Sequence, residues 1–311
     1  MSENVLVLGA GELGTAILEA LAEHPLRGNT KLSVMLRTAS INSDAPEKQK
    51  QIEKLRSLGI TPRAGDVEWS TSELTAIFRD YDTVISCNGM GRPFGTQTKL
   101  AEAVLEAGVK HYFPWQFGMD YDAIGNNSDN VRFDEQIQIR KTLRAQDKTK
   151  WTIVSTGLFM SFLFLPDFGV IDLDHKVSRG LGTWYTQITV TVPRDIGRVT
   201  ADLVYDPRGV ANEAVHIAGD TLSYEEIASI VDEVFGKGTF RKELLDMPTL
   251  KKQLAEGQPS ADYKAVFAVG KGVAWDKSKT LNVERGIQLT GLRDFLKTRI
   301  SQTTDGRLVL N

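Results

Sequence analysis

Three glycines near the start of the chain have the spacing of a phosphate-binding turn. Gly9, Gly11 and Gly14 directly follow the apolar run 5–8, and a helix-like stretch comes after them. In a strand–turn–helix unit the first glycine permits the tight turn, the second leaves room for a pyrophosphate, and the third lets the helix pack against the strand. Amides at the positive end of the helix then hold the phosphates. The predicted contacts in this turn are Gly9, Gly11, Glu12, Leu13 and Gly14.

The end of the second predicted strand indicates which dinucleotide is bound. An NAD site usually places Asp or Glu there, whereas this chain has Arg37 followed by Thr38. A guanidinium suits a 2′-phosphate, and a charge-assisted contact of this kind is worth about 1.5–3 kcal/mol. The pattern therefore predicts NADP(H). The alternatives are a glycine turn without a ligand and an ordinary exposed arginine at a strand end.

The whole-chain composition restricts the class of protein. With 311 residues, 41% of them hydrophobic, the chain can bury a full α/β core, and its net charge of −3 offers no basic field for nucleic acid. The longest apolar run, 158–165, is far too short to span a membrane. The first strand begins too early to leave room for a leader, and Cys87 is the only cysteine. We therefore expect a cytoplasmic protein with a small-molecule substrate, and no nucleic-acid or membrane partner.

Strand and helix signals alternate along the first half of the chain, which predicts a Rossmann-type doubly wound parallel sheet. We assign residues 1–157 to an NADP-binding Rossmann domain. Residues 158–311 are expected to form mainly a smaller α+β substrate lobe, discontinuous, with some segments returning to the first domain. Ligands should gather at the carboxyl ends of the strands, in 88–97, 114–127 and 156–168. The predicted strands after the first are 32–36, 60–64, 83–87, 110–113 and 151–155.

The segment 112–120, with the sequence YFPWQFGMD, resembles the NmrA-like and isoflavone-reductase-like group of atypical short-chain dehydrogenases. Further similarities lie at 84–89, 154–159 and 194–197, and the block 133–136 is similar to a fungal subgroup often labelled CipA-like. The resemblance implies an NADPH-binding Rossmann domain and a small discontinuous substrate lobe. It also implies reduction of conjugated or benzylic centres in aromatic secondary metabolites.

The resemblance also implies positions for the cofactor contacts. An arginine and a lysine hold the 2′-phosphate in that family, and they match Arg37 and Lys48 here. Lys50 and Lys54 are close by, so a lysine cluster on a solvated helix face is the alternative for Lys48. The remaining predicted cofactor contacts are Thr38, Asn88, Gly89, Gln116 and Phe117.

The chain departs from the family at the expected proton donor. Plant reductases carry a catalytic lysine on the helix after the fifth strand, and the matching position here is Gln136. Lys141 lies about 140° further around a helix, so it does not simply replace that lysine. None of the 7 tyrosines is followed by lysine four residues later, so the usual Tyr–Lys pair of short-chain dehydrogenases is also missing.

Hydride transfer without a strong acid remains possible. An amide orients a carbonyl or hydroxyl but delivers no proton, so a preformed iminium, or an enone polarised by Gln136, Tyr121 or water, fits best. Asp120 and Asp122 are a second acid–base candidate, although turn capping is the favoured interpretation. Apolar residues at strand ends would receive a flat substrate, or form core instead. These are Trp115, Met119, Phe159, Met160 and Phe162.

The sequence therefore predicts an NADPH-dependent reductase of a conjugated C=C or C=N (iminium) bond in an aromatic or alkaloid-like metabolite. Two alternatives stay open. One is a redox-silent NADP(H) sensor that signals through a protein partner, and the other is an isomerase or cyclase with structural NADP(H). No HExxH, CxxC or GxSxG motif occurs, and we predict no metal site.

Overall fold

The predicted alternation of strands and helices is present in the computed structural model, which describes residues 3–89, 91–125, 131–302 and 308–310. Met90, Asn126 and Asn127, which belong to two of the segments expected at the strand ends, lie outside the described residues.

The strands are β1 (Asn4–Leu8), β2 (Lys31–Leu36), β3 (Ile60–Ala64), β4 (Thr83–Ser86), β5 (His111–Phe113), β6 (Lys150–Ser155), β7 (Leu158–Phe159), β8 (Ile171–Asp172), β9 (Val177–Leu181), β10 (Gln187–Thr191), β11 (Glu213–His216), β12 (Asp220–Ser223), β13 (Arg241–Leu245), β14 (Ile300–Gln302) and β15 (Leu308–Leu310).

The α-helices are α1 (Glu12–Glu23), α2 (Thr38–Ile41), α3 (Pro46–Ser57), α4 (Thr71–Phe78), α5 (Thr96–Ala107), α6 (Tyr121–Ile124), α7 (Val131–Arg144), α8 (Pro193–Tyr205), α9 (Tyr224–Phe235), α10 (Met247–Ala255), α11 (Ala261–Val269), α12 (Leu281–Glu284) and α13 (Leu292–Arg299). Short 3-10 helices span Met160–Phe164 and Lys277–Lys279.

The chain divides into two compact units. Unit 1 comprises Met1–Phe117, Gly125–Val154 and Ile196–Val215, and unit 2 comprises Gly118–Ile124, Ser155–Asp195 and His216–Asn311.

A seven-stranded sheet forms the centre of unit 1, in the order β11-β6-β5-β4-β1-β2-β3. The neighbouring pairs from β3 through β6 are parallel. This is the doubly wound arrangement predicted from the alternation, and the fold class is confirmed. The strand order reverses between β1 and β4, which both lie in the interior, and ligands of open α/β sheets bind outside the strand ends at such a reversal.

The glycines of the first turn set how α1 meets β1. Gly9 has a φ of +93°, which a residue with a Cβ rarely adopts. A Cβ on Gly14 would lie 2.2 Å from the Gly9 carbonyl oxygen, so the helix approaches the strand end only because no side chain stands there. Gly197 allows a similarly close contact between α8 and α1, because its Cβ would lie 2.4 Å from the Ala16 carbonyl oxygen.

Unit 2 combines small sheets with helices. In one sheet β10 pairs antiparallel with β12 and parallel with β7. In another, β9 pairs parallel with β13 and antiparallel with β8. Helix α9 begins at a capping box, in which Ser223 and Glu226 exchange side-chain and backbone hydrogen bonds. Along the described chain, no helix combines the length and the apolar character needed to cross a membrane.

Gly14→Ala is expected to lower the free energy of unfolding by about 1–3 kcal/mol, even though alanine is the better helix former, because the new methyl meets a backbone oxygen that cannot move aside. Gly11→Ala is the matched control: its φ is −75° and its Cβ would meet no atom within 4 Å. Urea unfolding of both variants provides the measurement. Equal losses in the two would contradict this account of the turn.

Candidate functional site

The glycine turn presents an open backbone at the reversal of strand order. Gly11 is the N-cap residue of α1, is exposed, and makes no side-chain cap. A Cβ at Gly11 would find open space, in contrast to Gly9 and Gly14. Without a capping side chain, the first-turn amides, which include those of Glu12 and Leu13, are suited to an anionic ligand.

Arg37 lies beside this turn. Because β1 and β2 are parallel neighbours, with Leu8 paired to Met35, their ends are adjacent, and the Gly9 amide donates to the Met35 carbonyl at 3.1 Å. Arg37 is exposed and directly precedes the exposed Thr38 at the start of α2. Within the described ranges its guanidinium makes no ion pair or side-chain hydrogen bond. The cation is therefore available to a ligand at the strand ends.

The three lysines of α3 have different surroundings. Lys54 pairs with Glu19 of α1, and the hydrogen bond and charge of that carboxylate raise the pKa of Lys54. Lys50 is exposed. The Lys48 ammonium donates to Gln51 Oε1 at 3.4 Å, and Gln51 Nε2 donates in turn to the Ala10 carbonyl at 2.8 Å. A hydrogen-bonded chain thus links Lys48 to the glycine turn.

The end of β4 faces the same turn. The Asn88 side chain lies against Gly9, where an added Cβ would come within 2.6 Å of its Oδ1. Gln97 Nε2 donates to the Asn88 carbonyl at 2.5 Å. Gly89 packs against the half-buried indole of Trp115, since a Cβ at Gly89 would overlap that ring. Cys87 lies between these residues and β4, and burial raises the pKa of its thiol.

Buried polar groups connect the end of β5 to α7. Gln116 is 1% exposed, and its amide donates to the Gln136 carbonyl at 2.9 Å and accepts from Arg140 Nε at 2.7 Å. Both ends of the Gln116 side chain are thereby engaged inside the protein, and the neighbouring Phe117 is also buried. The Gln136 side chain is 3% exposed, and its Oε1 has no hydrogen-bond partner within the described part of the chain. A buried oxygen of this kind fits a site that a bound group completes.

The four substrate residues predicted in unit 2 and the catalytic candidate Tyr121 differ in exposure. Met119 and Tyr121 are buried, and Met160 is fully buried. Phe159 and Phe162 are half-buried and meet edge to face, with ring centroids 5.8 Å apart. Of these five, the two phenylalanines thus offer the most accessible aromatic surface.

Asp120 caps a turn, as favoured by the sequence. Its Oδ1 accepts from the backbone amides of Asp122 and Ala123 at 3.1 and 3.4 Å. The structure adds a contact that the sequence did not indicate: Asp120 Oδ2 lies 3.1 Å from His216 Nε2. The rings of His216 and Trp275 meet edge to face, with centroids 4.8 Å apart. The two partners are 96 residues apart, so no local spacing signals the pair.

Gln51 and Arg140 are also absent from the residues predicted from sequence. Gln51 is a polar residue on a largely exposed helix, and Arg140 is fully buried. Neither has a local pattern that distinguishes it from an ordinary surface residue.

Comparison with known proteins identifies the family. The model of the NmrA-like family matches residues 1–285. The chain belongs to the NmrA-like family. The resemblance predicted from the 112–120 segment is therefore confirmed.

Individual relatives of this NmrA-like protein cover most of it. An NmrA-like family domain-containing oxidoreductase of Gibberella moniliformis (strain M3125 / FGSC 7600) is 79% identical over 297 residues, covering 96% of this chain and 98% of that protein. Phenylcoumaran benzylic ether reductase TP7 of Nicotiana tabacum is 30% identical over 246 residues, covering 76% and 75%. The solved structure of AtPrR2 with NADP+ and (+)pinoresinol superimposes with a TM-score of 0.76 at 20% identity, covering 96% of this NmrA-like protein and 98% of that chain.

Gln116→Leu is expected to lower the free energy of unfolding of this NmrA-like protein by about 2–4 kcal/mol, because it removes the partners of a buried carbonyl and a buried guanidinium. Gln136→Leu is the matched control and is not expected to lower the free energy of unfolding, since among the described residues its buried Oε1 has no partner to lose. Denaturant unfolding in the absence of nucleotide measures both. A loss at Gln136 as large as at Gln116 would show that the Gln136 amide is a structural group.

Proposed function

We propose that this NmrA-like protein is an NADPH-dependent reductase of a conjugated C=C or C=N (iminium) bond in an aromatic or alkaloid-like metabolite. In this proposal the Rossmann domain, 1–157 in the sequence prediction, binds the dinucleotide, and 158–311 supply most of the substrate lobe.

Arg37, beside the glycine turn, carries the proposal. A cation at the end of β2, with no carboxylate paired to it among the described residues, is what a 2′-phosphate requires, and it disfavours a site built for NAD. The residues proposed to hold NADP(H) are Gly9, Gly11, Glu12, Leu13, Gly14, Arg37, Thr38, Lys48, Asn88, Gly89, Gln116 and Phe117. Of these, Gln116 and Phe117 act through their backbone or through packing, because both side chains are buried and the Gln116 amide is already bonded.

The proposed chemistry follows from two features of the sequence: Gln136 stands where a catalytic lysine is expected, and no tyrosine is followed by a lysine four residues later. When bound, NADPH supplies a hydride from its nicotinamide ring. Gln136 holds a polar substrate group at its Oε1, which has no partner among the described residues and to which a hydroxyl or N–H can donate, and it delivers no proton. An iminium substrate needs none: its carbon accepts the hydride, and its π electrons become the nitrogen lone pair. An enone needs one proton at its oxygen or α-carbon, and the phenol of Tyr121 or water is the proposed donor.

Apolar side chains are proposed to receive a flat substrate. The residues proposed for this role are Trp115, Met119, Phe159, Met160 and Phe162, of which Trp115, Phe159 and Phe162 are half-buried aromatic side chains. The names of related proteins support this class of substrate. The tobacco relative is a benzylic ether reductase, and the structural neighbour was solved with NADP+ and pinoresinol.

Two other functions are favoured by one observation, the amide of Gln136 at the position where the family resemblance implies a catalytic lysine. The first is a redox-silent NADP(H) sensor. The second is an isomerase or cyclase that uses the dinucleotide structurally.

One experiment separates the three functions. Purified protein is incubated with NADPH and a panel of aromatic enones and cyclic iminium compounds, and NADPH absorbance and products are followed. Steady NADPH oxidation with a reduced product is expected. Tight NADPH binding without turnover of any compound would favour the sensor, and equal product formation with NADP+ would favour the isomerase.

Arg37→Gln is expected to raise the Kd for NADPH tenfold or more, roughly the worth of one charge-assisted hydrogen bond, with little change for NADH. Isothermal titration calorimetry provides both constants. Arg56→Gln, at the far end of α3, is the control for loss of one surface cation and should leave both unchanged. Unaltered selectivity in the Arg37 variant would remove the main support for NADP(H).

A further inference from the structure

The Ala10 carbonyl in the glycine turn is held by two donors. Thr15 Oγ1 of α1 donates to it at 3.2 Å, and Gln51 Nε2 of α3 donates to it at 2.8 Å. Two donors from separate helices restrict rotation of the Ala10–Gly11 peptide plane, whereas glycine-rich backbone is otherwise free to turn.

The fixed carbonyl determines where the next amide points. In a planar trans peptide the C=O of Ala10 and the N–H of Gly11 point in opposite directions. With the carbonyl turned toward Gln51, the Gly11 N–H is directed away from α3. That amide has no acceptor within the described ranges, and Gly11 itself is exposed. The orientation suits a phosphate oxygen.

The other end of Gln51 faces a cation. Lys48 and Gln51 are three residues apart on α3 and so share a helix face, and the ammonium donates to Gln51 Oε1 at 3.4 Å. The α3 helix is itself fixed to unit 1 by the buried Ile52 and Leu55 and by the pair of Lys54 with Glu19. Gln51 therefore accepts from Lys48 and donates to the turn from one rigid position.

We propose that Gln51 is a specificity-determining positioning residue, which holds Lys48 for the 2′-phosphate and orients the Ala10–Gly11 peptide for the pyrophosphate. This inference rests on the proposed NADP(H) site and extends it to a residue that touches neither phosphate. Binding of NADPH uses both hydrogen bonds of Gln51, whereas binding of NADH uses only the bond to the turn.

Gln51→Met removes both hydrogen bonds while keeping the length of the side chain. At the worth of an ordinary hydrogen bond, the Kd for NADH should rise about threefold and the Kd for NADPH about tenfold, so the preference for NADPH falls about threefold. Isothermal titration calorimetry with NADPH and with NADH measures this ratio. In the double variant Lys48→Met and Gln51→Met, the Kd for NADPH should rise by less than the product of the two separate fold-changes, because both substitutions remove the same Lys48–Gln51 contact.

Gln49→Met is the matched control, an exposed glutamine of the same helix whose side chain makes no hydrogen bond within the described residues, and it should change neither Kd. Gln51→Ala is a second variant with the best helix propensity, and circular dichroism verifies that each protein is folded. If Gln51→Met raises the Kd for NADPH and the Kd for NADH by the same factor, Gln51 is only structural and the inference is wrong. The inference is also wrong if neither Kd changes. If the unmodified protein binds neither nucleotide, the proposed function itself fails.

Discussion

The contact between Gly14 and the Gly9 carbonyl is the constraint on which the proposed nucleotide site depends. Because an added Cβ would lie 2.2 Å from that oxygen, α1 can start directly over the end of β1 only if residue 14 is glycine. The close approach brings the positive end of α1 to the carboxyl ends of the strands, where β2 and β4 also end. Arg37 and Asn88 reach the same place because they follow those two strands.

Two buried glutamines of unit 1, Gln116 after β5 and Gln136 on α7, differ in their hydrogen bonding. Both ends of the Gln116 side-chain amide are hydrogen-bonded to α7, whereas the buried Oε1 of Gln136 has no partner in the described part of the chain. A buried polar atom left without a partner costs about 1–3 kcal/mol, so we interpret Gln136 as a group whose partner is a ligand. The chemical type of this side chain limits the reaction, since an amide positions a substrate but supplies no proton.

The parallel sheet and its glycine turn were predictable because their signals are local. Central strands such as β1 and β4 are covered on both faces, so they appear as continuous apolar runs, and a GxGxxG directly after such a run is unusual by chance. The bonds between Gln51 and Ala10, Arg140 and Gln116, and Asp120 and His216 join residues 41, 24 and 96 positions apart. Such contacts depend on tertiary packing, and polar residues destined for them look like surface residues in the sequence.

A crystal structure of the protein with NADP+ tests the central claim most directly, because it locates both phosphate groups at once. The account predicts a pyrophosphate oxygen within about 3.2 Å of the Gly11 amide and the 2′-phosphate against the Arg37 guanidinium. A dinucleotide bound elsewhere, or a 2′-phosphate turned to solvent with Arg37 unengaged, would contradict it.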